Sequence, residues 1–466
     1  MPQKSHRRRR VALLLTVAGA VLLLALAGFD AHLKTGPAAY CPSDAYWTAS
    51  SDNFPEFWRR AAETPQKEAF ASLPAPFRQE VTSLFRDVTS LEPSPLWWNS
   101  YWGARVTVAQ SAAGWGLCVR PGFAMRVLDR LQRRFRNTDG GPVYLAGSTY
   151  CAWRDGCLVV SHQRAYVEAC LDAPKPAAGL PNGSSDTLTV QWNGVKLDVR
   201  AAQGWPISGR IGVAQPRRNA GLTLQASWPR KPFIGVTAAD WSDIQAMAAW
   251  FGERAESAPV AEWLRRLTAH WGWNSLPEGW NAGIAEYGLA VFDVDTSQVL
   301  PVPEIALALR RNDSAEAPHP FAVLVNGWAS RSYEWNGAPG TVTPLAGEKM
   351  SLCLAQSGAD WLVTSREPLM ADLAGRLAPG TVVHANSVIE LDWQRLGTCS
   401  KTLIRRAAEL ELLPRMNAAD AETQLIPLAR AVMSLGTLSL TFIAEEPAPD
   451  KPCLLNVSGY LARTGS

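Results

Sequence analysis

One stretch of the sequence occurs twice, and this repetition constrains the fold more than any other feature. The copies span residues 150–161 and 350–365. Each contains two short apolar segments of strand character around a turn, which is Asp155-Gly156 in the first copy, and is followed by an apolar run at helical spacing. A serine just before such a run is typical of a helix N-cap, so Ser161 and Ser365 are predicted to begin the two helices. The sequence thus predicts a duplicated unit of strand, turn, strand and helix.

The two copies lie about 200 residues apart, which is too long a period for a solenoid and indicates two similar domains. Each domain is expected to be α+β, with helices packed on a mostly antiparallel sheet. We predict the first repeat over 52–230 and the second over 231–466, with a helical insertion at 401–435 in the second. Within the first repeat, Leu222–Ala226 is predicted as a strand because apolar and polar residues alternate.

Residues 11–29 contain no charged residue and are predicted to form a transmembrane helix, since about 19 residues would span roughly 28 Å. Arg7 to Arg10 stand just before this segment, which predicts that residues 1–10 are cytoplasmic and that everything after the helix is extracytoplasmic. Residues 30–51 are expected to be a tether. The prediction is a single-pass protein of the cell membrane, partnered with the lipid bilayer through Val11 to Phe29.

A cleaved signal peptide is the alternative interpretation of this segment. Ala25-Leu26-Ala27 fits a small-residue cleavage site. The apolar run is longer than the roughly 7–15 residues usual for a signal peptide, which favours a retained anchor. The sequence leaves both interpretations open.

Charge excludes one class of partner. The formal net charge is +3, but Lys4 and Arg7 to Arg10 supply more positive charge than that, so the rest of the chain is slightly negative. A nearly neutral body argues against nucleic acid as a partner.

The chain has 8 cysteines, whose number permits disulfides without requiring them. If Asp155-Gly156 forms a two-residue hairpin turn, Cys151 faces Val160 and Cys157 faces Arg154, on opposite faces of the sheet. A disulfide between these two cysteines is therefore not expected. No Cys-x-x-Cys motif occurs, so the commonest zinc and thiol-redox sites are not indicated, and we expect no metal or cofactor.

The repeated stretches, at 153–161 and 358–365, carry a resemblance to a known group of proteins. Together with the helices behind them they resemble uncharacterised bacterial single-pass proteins that have a basic N-terminus, one membrane helix and repeated extracytoplasmic sheet domains of unknown function. The resemblance covers most of the region after the apolar segment. It implies the topology given above and transfers no catalytic residue.

Catalytic motifs are absent from the sequence. It contains no Gly-x-Ser-x-Gly, His-Glu-x-x-His or Gly-x-x-x-x-Gly-Lys pattern. Asp293-Val294-Asp295 is similar to a phosphatase loop, but no acidic pair for magnesium follows it, which favours a solvated strand end. His162 follows Ser161 at a predicted helix start and is expected to be a first-turn surface residue. We therefore predict no catalytic residue.

The sequence contains 20 tryptophans. Trp97, Trp98, Trp271 and Trp273 fall at the same place in their repeats, where the helical region passes into the first strand. Exposed rings at these positions would stack on a glycan, whereas buried rings would fill space between helices and sheet. The shared position favours packing, and glycan stacking remains the alternative for these four residues.

These features favour a membrane-anchored extracytoplasmic protein that is not an enzyme and that binds or scaffolds a partner in the bacterial cell envelope. The expected partner is another envelope protein or a cell-wall glycan. One alternative is a glycan-binding module that uses exposed tryptophans, and another is an envelope hydrolase. A nucleophile and a base within hydrogen-bond reach in a polar, concave site would favour the hydrolase.

Overall fold

The computed structural model describes most of the chain, apart from its N-terminal part and several internal segments. The described residues are 37–64, 66, 79, 83, 87, 103, 105–122, 125, 142–173, 186–192, 195–213, 217–243, 283–295, 302–312, 319–325, 328–344, 351–377, 380–409, 417–446 and 453–462.

The chain divides into two compact units. Unit 1 comprises Met1–Arg60 and Arg78–Asn193, and unit 2 comprises Ala61–Phe77 and Gly194–Ser466. These units are defined by contacts within the folded chain. The repeat limits of 52–230 and 231–466 concern copies of the sequence and stay a prediction.

Unit 1 is built on an antiparallel sheet. Its strands are β1 (Trp47–Ser51), β2 (Val106–Ser111), β3 (Gly114–Val119), β4 (Val143–Ala146), β5 (Thr149–Arg154), β6 (Cys157–Ser161) and β7 (Thr187–Trp192). Their order across the sheet is β7-β1-β2-β3-β6-β5-β4. The helical elements whose bounds the structure describes are a 3₁₀ turn (Pro37–Tyr40), α1 (Phe54–Ala62), which ends in unit 2, and α2 (Arg164–Asp172).

Unit 2 has a larger antiparallel sheet. Its strands are β8 (Val195–Arg200), β9 (Pro206–Val213), β10 (Ala220–Leu222), β11 (Ile234–Ala238), β12 (Ile284–Asp295), β13 (Val302–Arg311), β14 (Arg331–Trp335), β15 (Ala338–Pro344), β16 (Ser351–Ser357), β17 (Asp360–Thr364), β18 (Val383–Ala385), β19 (Ser387–Asp392), β20 (Thr437–Ala444) and β21 (Cys453–Ala462). The order across the sheet is β8-β9-β21-β20-β19-β11-β12-β13-β17-β16-β15-β14, while β10 pairs with β18 separately.

The helical elements of unit 2 lie between these strands. They are α3 (Leu224–Ser227), a 3₁₀ helix (Pro320–Val325), α4 (Glu367–Leu373), α5 (Trp393–Glu409), a helical turn (Ala418–Asp420), a π-helical turn (Ala421–Leu425) and α6 (Ile426–Met433). Residues 401–409 and 418–433 are therefore helical, within the range where the sequence indicates an insertion.

The two sheets share one connectivity. The order β7-β1-β2-β3-β6-β5-β4 in unit 1 corresponds, strand by strand, to β19-β11-β12-β13-β17-β16-β15 in unit 2. The helix that follows the hairpin also agrees, because α2 and α4 each bury three side chains at the same spacing. These are Tyr166, Val167 and Cys170 in α2, and Leu369, Met370 and Leu373 in α4. Both copies of the repeated stretch thus fold in the same way.

The expected α+β class is wrong, because the protein is mostly β. Strands account for 49% of the structure and helices for 26%. Apolar runs at helical spacing favoured an α+β class, whereas most of the described residues between those runs belong to strands of the sheets. The long pair β12 and β13, of 12 and 10 residues, illustrates this difference.

The predictions of a transmembrane helix and of a single-pass protein of the cell membrane are also contradicted. Among the helices of the described residues, none is long and apolar enough to cross a membrane. The longest, α5, has 17 residues and carries charged residues such as Arg395 and Lys401. Residues 11–29, on which the prediction rested, lie outside the described residues. The prediction used only the number of consecutive apolar residues, which matches the thickness of a bilayer core.

The two serines that were predicted to cap helices do something else. The N-cap residues of α2 and α4 are Gln163 and Arg366. The Ser161 hydroxyl donates to the Trp115 carbonyl of β3 at 2.7 Å and accepts from the Gln163 N–H at 3.0 Å. The Ser365 hydroxyl likewise bonds to the backbone of β13. Both serines therefore fasten the end of the repeated hairpin to the neighbouring strand.

The predicted register of the first hairpin is confirmed. Cys151 lies opposite Val160, and Arg154 lies opposite Cys157. The turn residue Asp155 has φ of 48°, as a tight two-residue turn requires. Neither of the two hairpin cysteines takes part in a disulfide.

Candidate functional site

The tryptophans predicted to stack on a ligand, Trp97, Trp98, Trp271 and Trp273, lie outside the described residues. The tryptophans that the structure does describe differ in burial. Those that are buried are Trp205, Trp228, Trp241, Trp335 and Trp361. Trp58 in unit 1 and Trp328 in unit 2 are exposed.

The acidic pair at the end of β12 does not form a phosphatase loop. Asp293 is exposed, and Asp295 forms an ion pair with Arg366 at 3.2 Å. Across the described ranges, no group of three His, Cys, Asp or Glu side chains is placed to hold a metal ion. This pair belongs to the surface of the sheet.

Strand β14 is the first candidate site, because it lies exposed at the edge of its sheet. Arg331, Ser332, Tyr333 and Glu334 are all exposed, and only Trp335 is buried. In the part of the chain that the structure describes, β14 pairs with β15 alone. An edge strand of this kind presents a row of unpaired N–H and C=O groups.

The turn after β14 fixes which backbone groups point outward. Asn336 and Gly337 have φ of 51° and 80°, the left-handed values of a type I′ hairpin turn. In such a hairpin the residues that flank the turn, Trp335 and Ala338, exchange hydrogen bonds. Because hydrogen-bonded and non-bonded positions alternate along a strand, the backbone groups of Ser332 and Glu334 point away from β15.

The aromatic side chains of β14 connect this edge to the core. The Trp335 ring is buried in the main core cluster of unit 2. The Tyr333 ring lies 4.8 Å from it, tilted by 38°, and is 49% exposed. Tyr333 thus extends an apolar surface from the core to the open edge.

The second candidate site is a polar cluster in unit 1 around His162. Ser83 and Asp87 are helical residues that lie four positions apart in the sequence. The Ser83 hydroxyl lies 3.0 Å from Nε2 of His162. His162 precedes α2 and is half-buried, so it is not the plain surface residue that was expected.

Asp87 is held by the turn between β4 and β5. Its Oδ2 accepts hydrogen bonds from the Ser148 N–H at 2.9 Å, from the Ser148 hydroxyl at 2.5 Å and from the Thr149 hydroxyl at 3.0 Å. Burial opposes ionisation, but these bonds outweigh it and lower the pKa of Asp87. Gly147, with φ of 61°, permits this approach, since a Cβ there would lie 2.8 Å from Cγ of Asp87.

The neighbours of the His162 ring determine its tautomer. Nδ1 lies 3.4 Å from the Thr149 hydroxyl oxygen and 3.5 Å from the Ser148 carbonyl oxygen. The Thr149 hydroxyl hydrogen is already donated to Asp87, so that oxygen can only accept, as can the carbonyl. In the neutral imidazole, Nδ1 therefore carries the proton, and the lone pair of Nε2 faces the Ser83 hydroxyl. Sequence patterns do not reveal this pair, because its members are 79 residues apart.

A third polar cluster, in unit 2, is structural. Both carboxylate oxygens of the buried Glu286 accept bonds at the start of α3, from the N–H groups of Thr223 and Leu224 at 2.5 Å and from the Thr223 hydroxyl at 3.0 Å. Burial raises the pKa of Glu286, and these bonds only partly offset it. Both oxygens of the carboxylate are thus engaged in capping α3, so we assign Glu286 a structural role.

No protein-family model, curated protein or solved structure matches this chain. The two candidate sites are therefore the features that bear on its function. The resemblance to bacterial single-pass proteins stays a prediction.

Proposed function

We propose that this protein is a binding and scaffold protein that assembles by pairing β14 with β14 of a second copy. The observation that carries the proposal is the exposure of four consecutive residues on an edge strand, where the backbone groups of Ser332 and Glu334 point outward. An open edge with these groups is a template for strand addition. The proposed pairing requires no membrane anchor.

A two-fold axis through Tyr333 gives the best register. Outward-pointing residues must face each other, so Ser332 lies opposite Glu334 of the second copy, Tyr333 opposite Tyr333, and Arg331 opposite Trp335. Two exposed tyrosine rings then meet at the axis, which is a favourable cross-strand pair.

Other registers are less favourable, because they mismatch backbone groups, bring like charges together or leave residues of β14 unpaired. A shift by one residue would set an outward backbone group against an inward one. A two-residue shift towards the C-terminus would place Glu334 against Glu334, and like charges directly opposite are destabilising. The reverse shift would leave Glu334 and Trp335 opposite residues outside the strand. The sequence of β14 is thus self-complementary in one register.

The expected association is weak and reversible. One added strand of five residues buries less than the roughly 1,200 Å² at the lower limit of standard stable interfaces. A dissociation constant in the micromolar range or above is therefore expected. Assembly of this kind responds to local concentration, as a scaffold requires.

Sedimentation velocity of the full chain over a range of concentrations tests this proposal. We expect a monomer–dimer equilibrium that Ser332→Pro abolishes, because proline removes an outward N–H without breaking the β14–β15 ladder. Leu145→Pro is the matched control, since Leu145 is 58% exposed on the edge strand β4 and its N–H also points outward. A monomer at every concentration, or dimers lost in Leu145→Pro and kept in Ser332→Pro, would overturn the proposal.

A further inference from the structure

We propose that Ser83 is a nucleophile, that His162 is its general base, and that the pair reacts with activated carboxylic esters and with organophosphorus electrophiles. The inference rests on the 3.0 Å separation of the Ser83 hydroxyl and Nε2, and on the ring neighbours, which in the neutral imidazole place the proton on Nδ1 and the lone pair on Nε2. A serine hydroxyl is a weak nucleophile until a base in hydrogen-bond reach takes its proton. This activity would stand beside the proposed scaffold role and is contrary to the expectation of a protein without catalysis.

The orientation of the imidazole comes from a third group, as in other hydroxyl–imidazole sites. Here that group is the Thr149 hydroxyl, which is buried and donates to Asp87. Asp87 is a positioning residue, because it fixes the direction of the Thr149 hydroxyl and has no direct bond to the ring. A neutral hydroxyl stabilises an imidazolium less than a carboxylate does, so we expect slower chemistry than in a site with direct contact.

The chemical step balances without a metal or redox partner. The Ser83 oxygen attacks the carbonyl carbon of an ester while its proton moves to Nε2 of His162. The carbon–oxygen bond to the leaving group breaks, and the leaving alkoxide takes that proton. Water then attacks the acyl-serine and gives its proton to Nε2 of His162. The bond between the acyl carbon and the Ser83 oxygen breaks, and that oxygen takes the proton from His162, which leaves a carboxylic acid, the free Ser83 hydroxyl and the neutral base.

The competing explanation is that the Ser83–His162 bond only docks the helix onto the β4–β5 turn. A docking bond and a catalytic pair have the same distance, but only the catalytic pair makes Ser83 react with an electrophile. Reactivity at Ser83 that depends on His162 is therefore the property to measure.

The test uses the full-length protein and a biotinylated fluorophosphonate, which forms a phosphorus–oxygen bond to an activated serine and releases fluoride. Peptide mass spectrometry is expected to find the adduct on Ser83, and none should form in Ser83→Ala. His162→Gln should slow labelling by about 100-fold or more, the usual size of a general-base effect. Ser208→Ala removes an exposed serine of β9, away from both candidate sites, and should leave labelling unchanged.

Two substitutions at Thr149 distinguish an effect on the orientation of the His162 ring from an effect on folding. Thr149→Ser keeps the hydroxyl and should keep the labelling rate, whereas Thr149→Val should slow labelling even at temperatures where its melting curve shows it folded. Absence of an adduct on Ser83 in the folded wild-type protein would overturn the inference. Equal labelling of the wild type and His162→Gln would do the same, because it would show that Ser83 reacts without a base.

Discussion

Arg310 donates hydrogen bonds to both carboxylate oxygens of Asp360, at 2.8 Å and 2.9 Å, and so joins β13 to the first residue of β17. The same guanidinium bonds to the Thr223 hydroxyl and lies 3.8 Å from Glu286. The hydrogen bonds that Arg310 donates to Asp360 are the main reason that the pKa of Arg310 is raised. This group of charges connects the repeated hairpin of unit 2 to α3.

Asp360→Asn is therefore expected to destabilise unit 2. The Arg310 and Asp360 side chains are only 21% and 11% exposed. The substitution therefore leaves a mostly buried guanidinium with one accepting oxygen in place of two and without the negative charge that balanced it. The expected loss is about 2–3 kcal/mol, somewhat below the cost of breaking a fully buried pair. Urea unfolding measures it.

The matched control is Glu168→Gln. Arg164 and Glu168 form the same type of ion pair at 2.8 Å, but their side chains are 66% and 48% exposed. Exposed pairs contribute little, so Glu168→Gln should change stability by less than about 0.5 kcal/mol. Equal effects of the two substitutions would contradict the structural role given to Arg310.

His319 is expected to make stability depend on pH. Burial lowers the pKa of His319 to about 4, although its hydrogen bond to the Leu362 carbonyl acts the other way. Nδ1 accepts the Phe321 N–H at 3.2 Å, a bond that protonation of the ring would break. The neutral ring is thus the form that fits the fold.

The direction of this effect follows from linkage. The pKa of His319 is depressed in the folded state, so its contribution is fully present above the unfolded value of about 6.5 and is lost as pH falls towards 4, by at most roughly 3 kcal/mol. His319→Gln does not titrate, and its unfolding free energy should fall less between pH 6.5 and pH 4. Identical pH profiles for the two proteins would show that His319 is not responsible.

The thiols are expected to differ sharply in reactivity. Cys118 is fully buried, and hydrogen bonding with Cys170 and Cys41 together with burial raises its pKa well above the usual value. Burial also raises the pKa of Cys353 to about 12. Since the thiolate is the reactive form, these thiols should resist a maleimide in the folded protein.

Mass spectrometry after a brief maleimide pulse measures this difference. The half-buried Cys399 and Cys453 are expected to react first, and the other cysteines only after denaturation. Rapid native labelling of Cys118 would mean that its surroundings open readily, in conflict with the packing described.

Local sequence rules predicted the hairpins well and the longer-range features poorly. The register around Asp155-Gly156 followed from the turn alone, because a two-residue turn fixes which residues face each other. Leu222–Ala226, predicted as a strand, instead ends β10 and forms α3. The cause is the Glu286 carboxylate, which caps the N–H groups of Thr223 and Leu224 from more than 60 residues away.

The sequence did not predict the candidate sites, because they too depend on contacts between residues that are distant in the chain. Ser83 and His162 lie 79 residues apart in the sequence, and no spacing rule encodes their contact. β14 is a short, mixed segment whose exposure depends on its place at the edge of the sheet. The repeat was visible because its apolar positions recur in both copies, whereas the class of the whole fold depended on the long strands between them.

The central claim is that two copies pair through β14 with Tyr333 on the two-fold axis. In that register the two Tyr333 positions form a non-hydrogen-bonded pair about 4.5 Å apart at Cα, within the range that a disulfide can bridge. Ser332 faces Glu334 of the second copy, so Ser332→Cys provides a control that lacks a partner thiol.

The most direct measurement is the mass of Tyr333→Cys after mild oxidation, under non-reducing denaturing conditions, beside the wild type and Ser332→Cys. We predict a covalent dimer for Tyr333→Cys, monomers for the wild type and for Ser332→Cys, and a covalent dimer again when Ser332→Cys is mixed with Glu334→Cys. Tyr333→Cys that stays monomeric, or that yields no more dimer than Ser332→Cys, would contradict the proposed assembly.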